Sequence, residues 1–276
     1  MGSMDFDLDL NALNEEISKL RNNNRSEKSE LVLKVNKNNM KEKLRLLPNQ
    51  HKPSMPFYQV AYHYNIKNFG IMCPKENFGE ECPICDFREK LRAGAQTDEE
   101  RKALKPFFPT IRYYAPVLSR TDNTKAKFWE MSKTVYEEVI NKLIKFPELI
   151  HPIKGHDLLV EYVPPTGGKK WGKIEVETDM KESKLSEDIE DAKTIIKDVK
   201  DLMEILKKEM PNTEQIQGYL DEFFKEDEDN DNSEGASEVK TEVKKEVKAE
   251  KVVETKKETV DTDESNIDEE IDNLFG

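Results

Sequence analysis

Four side chains stand out for the chemistry their spacing permits. His63, Cys73, Cys82 and Cys85 form the pattern H-x9-C-x8-C-x2-C. The Cys82-Pro83-Ile84-Cys85 step can turn tightly and aim two sulfurs at one ion. Zinc favours four tetrahedral nitrogen and sulfur donors, and a site filled by four protein ligands is structural, with no open position for hydrolysis. One structural Zn2+ per chain is the expectation. Buried thiols beside an unrelated histidine would also explain the pattern. His51, His151 and His156 are rival fourth ligands, but they lie farther away or beyond a predicted helix. Three cysteines are an odd number, which argues against a disulfide framework.

A second set of residues suits a different chemistry. A binder of single strands needs cations along the phosphates and flat rings on which bases stack. Between Lys102 and Lys173 the chain alternates the two: Lys105, Phe107, Arg112, Tyr113, Arg120, Lys125, Lys127, Trp129, Lys169, Lys170 and Trp171. This stretch has 13 basic and 7 acidic residues, although the whole chain is at −13. The acid is concentrated in residues 226–276, with 19 acidic and 7 basic side chains. A mildly basic body therefore carries an acidic tail. Taken singly, each ring is more often a core residue than a stacking platform, Tyr114 and Phe128 among them.

These residues need elements to hold them. The opening Met1-Gly2-Ser3-Met4 reads as an expression scar. Leu10, Leu13, Ile17 and Leu20 give an amphipathic helix over 5–20, followed by a polar linker. Strand-like runs are expected at 31–35, 43–47 and 57–64, then a loop from Cys73 to Cys85 broken by Pro74, Gly79 and Pro83, with a turn or two of helix at 87–93. A second β set covers 110–118 and 126–131 about a turn at 121–124. A helix follows at 134–146, then strands at 157–163 and 170–176 about the 164–168 loop. One apolar stripe from Ile189 to Leu206 predicts a helix, and Asn212 with Gln215 predicts a capping box for the last one. The tail reads as disordered. Ile271, Leu274 and Phe275 at its end, with Asp272 among them, offer apolar anchors in an acidic setting, suited to a basic, grooved partner. As a tethered polyanion, the tail should also compete with DNA for a basic cleft. No signal peptide, membrane span, P-loop or hydrolase motif is found, so an intracellular binding protein is expected rather than an enzyme.

The His63, Cys73, Cys82 and Cys85 pattern, Leu44-Arg45-Leu46-Leu47-Pro48, Tyr113-Tyr114-Ala115 and the aromatic stretch 127–136 together resemble the single-stranded DNA-binding, helix-destabilising proteins of T-even-like bacteriophages. The resemblance spans roughly 31–224, with the acidic tail as a further match. It implies an α+β fold: an OB-fold-type β-barrel core over 30–225 with an inserted zinc subdomain at about 63–92. Residues 1–29 would form a self-association arm and 226–276 a partner-binding tail. It further implies cooperative coating of single-stranded DNA as a homo-oligomer during replication, recombination and repair, in the cytoplasm of an infected bacterium. Arg45, Tyr113 and Trp129 fall where that family places strand contacts. The family's arm is basic, whereas residues 4–20 are acidic and amphipathic. A zinc-containing protein-interaction scaffold without affinity for nucleic acid is the alternative reading.

Overall fold

The computed structural model describes residues 27–122, 125–168 and 170–225. The expected arm helix, Lys169 and the whole tail with Ile271, Asp272, Leu274 and Phe275 lie outside the described residues. Helix α1 (Glu27–Leu31) leads into β1 (Val32–Leu33), β2 (Lys41–Leu46), β3 (Tyr58–His63) and β4 (Ile71–Met72). Helices α2 (Pro74–Phe78), α3 (Pro83–Gly94) and α4 (Asp98–Ala103) follow, then a 3-10 turn at Lys105–Phe107. Strands β5 (Thr110–Ser119) and β6 (Ala126–Met131) precede α5 (Lys133–Lys145), and β7 (His156–Val163) pairs with β8 (Lys173–Glu182). Helices α6 (Ile189–Lys197), α7 (Leu202–Glu209) and α8 (Thr213–Lys225) close the described chain.

The strands form one mixed sheet in the order β1-β6-β5-β2-β7-β8, with β3 and β4 branching from β5. Strand β5 is the hub. Its first half pairs with β3 and its last residues with β2, both on the edge opposite β6. Pro116 sits where one partner gives way to the other. Its carbonyl accepts from Leu47 N–H at 2.9 Å, so its missing N–H falls in the gap between β3 and β2. A proline elsewhere in so central a strand would remove a ladder bond.

Side-chain alternation gives the sheet two different faces. Tyr113, Ala115, Val117, Trp129 and Met131 meet Val135 and Val139 of α5 in one core. Tyr58, Val60, Tyr114, Leu118 and Phe128 face the other way, against Ala192, Leu202 and Leu206 of α6 and α7. A third cluster joins the cysteines to Ile84, Phe107, Ile216 and Leu220, so α8 roofs the candidate metal centre.

Three expectations change. The single stripe from Ile189 to Leu206 is two helices. Asp198 ends the first, and Asp201 caps the second by accepting from Met203 N–H at 2.9 Å, which turns the chain between them. The 73–85 loop holds α2 and the start of α3. Pro74 and Pro83 open these helices at positions where no backbone N–H is needed. The 31–35 strand is reduced to two residues, because α1 takes up Leu31. The Asn212–Gln215 box is present, with reciprocal bonds of 2.8 and 2.9 Å.

Candidate metal centre and nucleic-acid interface

Local pairing assembles the four ligands. The β3–β4 hairpin sets His63 opposite Ile71, two residues before Cys73. Asn77 locks this corner: its amide exchanges two 2.9 Å hydrogen bonds with the Ala61 backbone and donates to Cys73 O at 2.8 Å. Gly79 ends α2 at φ +69°, a left-handed conformation that glycine adopts without strain, and this redirects the chain toward Cys82. Cys82 caps α3, and Cys85 lies in its first turn, where the helix dipole favours thiolate.

All four side chains are buried, and their donor atoms lie within 4.8 Å of one another. His63 Nε2 is 3.5 Å from Cys82 Sγ and 3.6 Å from Cys85 Sγ, and Cys73 Sγ is 3.5 Å from Cys85 Sγ. Tetrahedral zinc with bonds of about 2.3 Å to sulfur and about 2.0 Å to nitrogen sets its ligands roughly 3.5–3.8 Å apart. The quartet therefore fits one such ion. The rival histidines are engaged elsewhere: His51 with Val199 O, His151 with Ile153 and Lys154 N–H, and His156 with Asp179 O. The thiols share charge unequally. Hydrogen bonds from Cys73 and Cys85 hold Cys82 far below the ordinary thiol range. Beside Cys82, Cys73 is pushed up to about 12, and contact with Cys73 and Cys82 drives Cys85 up as well. Three thiolates can coexist here only around a cation.

The expected nucleic-acid residues separate into buried and exposed groups. Trp129 is 1% exposed and packs in the α5 core, so it offers no stacking face in this conformation. Phe107 is likewise enclosed, by Phe87, Phe223 and Phe224. Tyr113 stacks on Tyr136 at 4.0 Å and 11°, so that face of its ring is taken. Arg112 and Tyr113, adjacent in sequence, point to opposite faces.

Arg45 is 0% exposed and belongs to a buried ionic cluster rather than a surface. Asp157, at a β-bulge in β7, accepts a forked pair of bonds from Arg120 at 3.0–3.1 Å and lies 3.9 Å from Arg45 and 3.7 Å from Lys43. Arg45 also donates to His151 O, and Arg120 donates to Lys184 O and Leu185 O. A Cβ at Gly155 would collide with the Arg45 guanidinium, so that glycine makes room for the cluster. Burial lowers the Arg45 pKa to about 10, opposed by Asp157, and the group stays charged at neutral pH.

The exposed group lies mainly on two hairpin ends. Trp171 is 76% exposed, with Lys170 Nζ 5.2 Å from its ring centre. Lys125 is exposed, and the half-buried Lys127 pairs with Asp122 at 2.8 Å. Strands β5 and β7 flank antiparallel β2 and so run the same way, which puts the β5–β6 and β7–β8 turns at one end of the sheet. Lys105, also exposed, and Arg112 lie toward the other end, roughly 30 Å away along ten-residue β5.

A family model described as gp32 DNA binding protein like matches residues 38–223. The chain belongs to the gp32-like DNA-binding family. The match covers the whole sheet from β2 onward, the metal quartet and most of α8. No curated protein matches this gp32-like chain. None of the described helices is long and apolar enough to cross a membrane. Its sequence hid one feature of interest, a rim where Arg112 meets Tyr64 and Glu130, Lys34 pairs with Glu130, and Lys28 lies over the Tyr62 ring. These residues are scattered over four segments, and no spacing rule links them.

Proposed function

We propose that the chain binds and coats single-stranded DNA with weak sequence preference, in phage DNA replication, recombination and repair inside an infected bacterium. The gp32-like family match over residues 38–223 carries this reading. The protein acts by binding and positioning, not catalysis. Its core, residues 30–225, is an OB-type barrel derivative, with a zinc subdomain at about 63–92 that stiffens one wall. Residues 1–29 support self-association along the strand. Residues 226–276 recruit replication and recombination proteins through Ile271, Asp272, Leu274 and Phe275, and compete with DNA at low salt. Deleting residues 261–276 should therefore tighten low-salt binding and abolish partner recruitment. Unchanged values of both would leave the tail without either role.

The strand contacts we propose are Lys105, Arg112, Lys125, Lys127, Lys169, Lys170 and Trp171. Trp129, Phe107, Tyr113, Arg45 and Arg120 support them from within. Titration with poly(dT) against duplex across a salt series tests the function. Phosphate contacts release counterions, so affinity should fall steeply with salt and favour the single strand. Trp171→Ala should remove about 1–3 kcal/mol, roughly 5- to 150-fold, with little change in salt slope. The chain has only two tryptophans, so Trp171 emission should be quenched by DNA while buried Trp129 stays constant. Equal affinity for duplex, or full binding by Trp171→Ala, would contradict this reading in turn.

A further inference from the structure

At the end of the sheet where β5 begins, one carboxylate is surrounded by cations and phenols. Glu130 of β6 stands opposite Tyr114 of β5. Its Oε2 lies 2.9 Å from Lys34 Nζ and accepts from the Tyr114 hydroxyl at 3.2 Å. Its Oε1 lies 4.0 Å from Arg112 Nε. Arg112 is held independently of Glu130: Nε donates to the Tyr64 hydroxyl at 3.2 Å, and the guanidinium lies 5.1 Å from that ring centre. Lys28 of α1 lies 4.6 Å from the Tyr62 ring centre, and the Tyr62 hydroxyl is 3.3 Å from that of Tyr114. The other nearby acid, Glu209 of α7, accepts the backbone N–H of Lys28 at 3.0 Å. Three cations thus face two carboxylates, and Glu130 is the one that engages Lys34 and Arg112.

A phosphodiester oxygen asks for the same partners: a guanidinium, an ammonium and a hydroxyl. The Lys34 side chain is 57% exposed and that of Glu130 13%, so the pair sits at the solvent boundary, where an incoming anion can reach Lys34 and salt screens part of its attraction. The donors are already placed, and the anion among them is exchangeable.

We infer that Glu130 is an internal stand-in for a backbone phosphate, which a bound single strand displaces to take over Lys34 and Arg112. The inference rests on the single-strand reading above and assigns to it an affinity-setting residue. It also fixes a thermodynamic signature. A displaced carboxylate takes up a salt cation, which cancels one of the counterions that the strand releases. The native chain therefore shows a shallower salt dependence than its phosphate contacts alone would give.

The test uses the full chain and oligo(dT) over a salt series. Glu130→Gln is close to isosteric and keeps an acceptor for Tyr114; a melting curve checks its fold. It should bind several-fold more tightly at low salt, with a log–log salt slope steeper by up to about 0.7, one single-strand phosphate contact. The gain should vanish when Glu130→Gln is combined with Lys34→Gln and Arg112→Gln. Parent-like affinity and slope in Glu130→Gln, or a gain that survives in the combined variant, overturns the inference while the single-strand reading stands. No binding of oligo(dT) by the parent or by Glu130→Gln overturns both.

Discussion

Cys82→Ser, or removal of metal by a chelator, is expected to lower the melting temperature by on the order of 10 °C and to loosen two segments together, residues 63–94 and 213–225. Cys82 touches His63 and holds the N-cap position of α3 without a side-chain cap bond; serine is itself a good cap there, so the substitution acts by opening the centre and not by uncapping the helix. The segments respond together because Ile216 and Leu220 of α8 are buried on the same cluster as the cysteines. Structural zinc contributes about 10–16 kcal/mol of apparent binding energy in isolated zinc-finger peptides. Here the sheet has its own two cores, so only part of that sum appears as global stability and the sheet outlasts its branch. Ligands bind metal deprotonated, so the contribution is present at neutral pH and lost as pH falls. Elemental analysis should give one zinc per parent chain and none in the variant, and hydrogen exchange should quicken in the two segments. Metal-free parent protein, or a variant that melts with the parent, would sink the assignment.

The second large effect is expected far from the metal. Asp157→Ala should remove roughly 3–5 kcal/mol of stability, the usual penalty for breaking a buried ion pair and leaving its cation uncompensated. That corresponds to a fall in melting temperature on the order of 10 °C for a chain of this size. Arg45 is wholly enclosed, and Arg120 is fixed by its fork on Asp157. Arg45 cannot reach water without disturbing the segment around His151 that it holds, and Arg120, only partly exposed, is tied to the segment around Leu185. Asp179→Asn supplies the comparison. Asp179 also pairs with Lys43, at 2.7 Å, but at a more solvated position, so its loss should move the melting curve much less. Equal melting of the parent and Asp157→Ala would show that the cluster does not support the fold.

The metal quartet was legible because its determinants are local. Two of its cysteines are three residues apart, two prolines open the helices that carry the thiols, and a short hairpin joins the histidine to the first of them. The β5 and β6 segments were legible for the same reason, since alternation and a polar turn mark them in any context. What alternation does not reveal is which face meets water. Trp129 and Arg112 lie on adjacent strands with similar patterns, yet one is core and the other rim. The difference is made by α5, which follows β6 directly and covers one face, and by α6 with α7, which cover the other from a distant part of the chain. The ionic cluster was hidden more deeply. Arg45 and Asp157 on two strands and Arg120 just past the end of a third look like ordinary charges, and only the β5-β2-β7 order brings them together. Likewise, the stripe from Ile189 to Leu206 gave no sign of the break imposed by two aspartates.

The branching of β5 has a consequence for how the chain emerges from the ribosome. Strands β2 and β3 are synthesised early, but β2 must wait for β5 and for β7, which lies more than a hundred residues downstream. The β3–β4 hairpin and the four ligands need no such wait, because they are neighbours in sequence; only the α8 roof over them comes last. The metal branch can therefore close while the sheet is still missing its centre. Strand β3 then presents its free edge to β5 as a ready template, and the order of translation becomes an order of assembly.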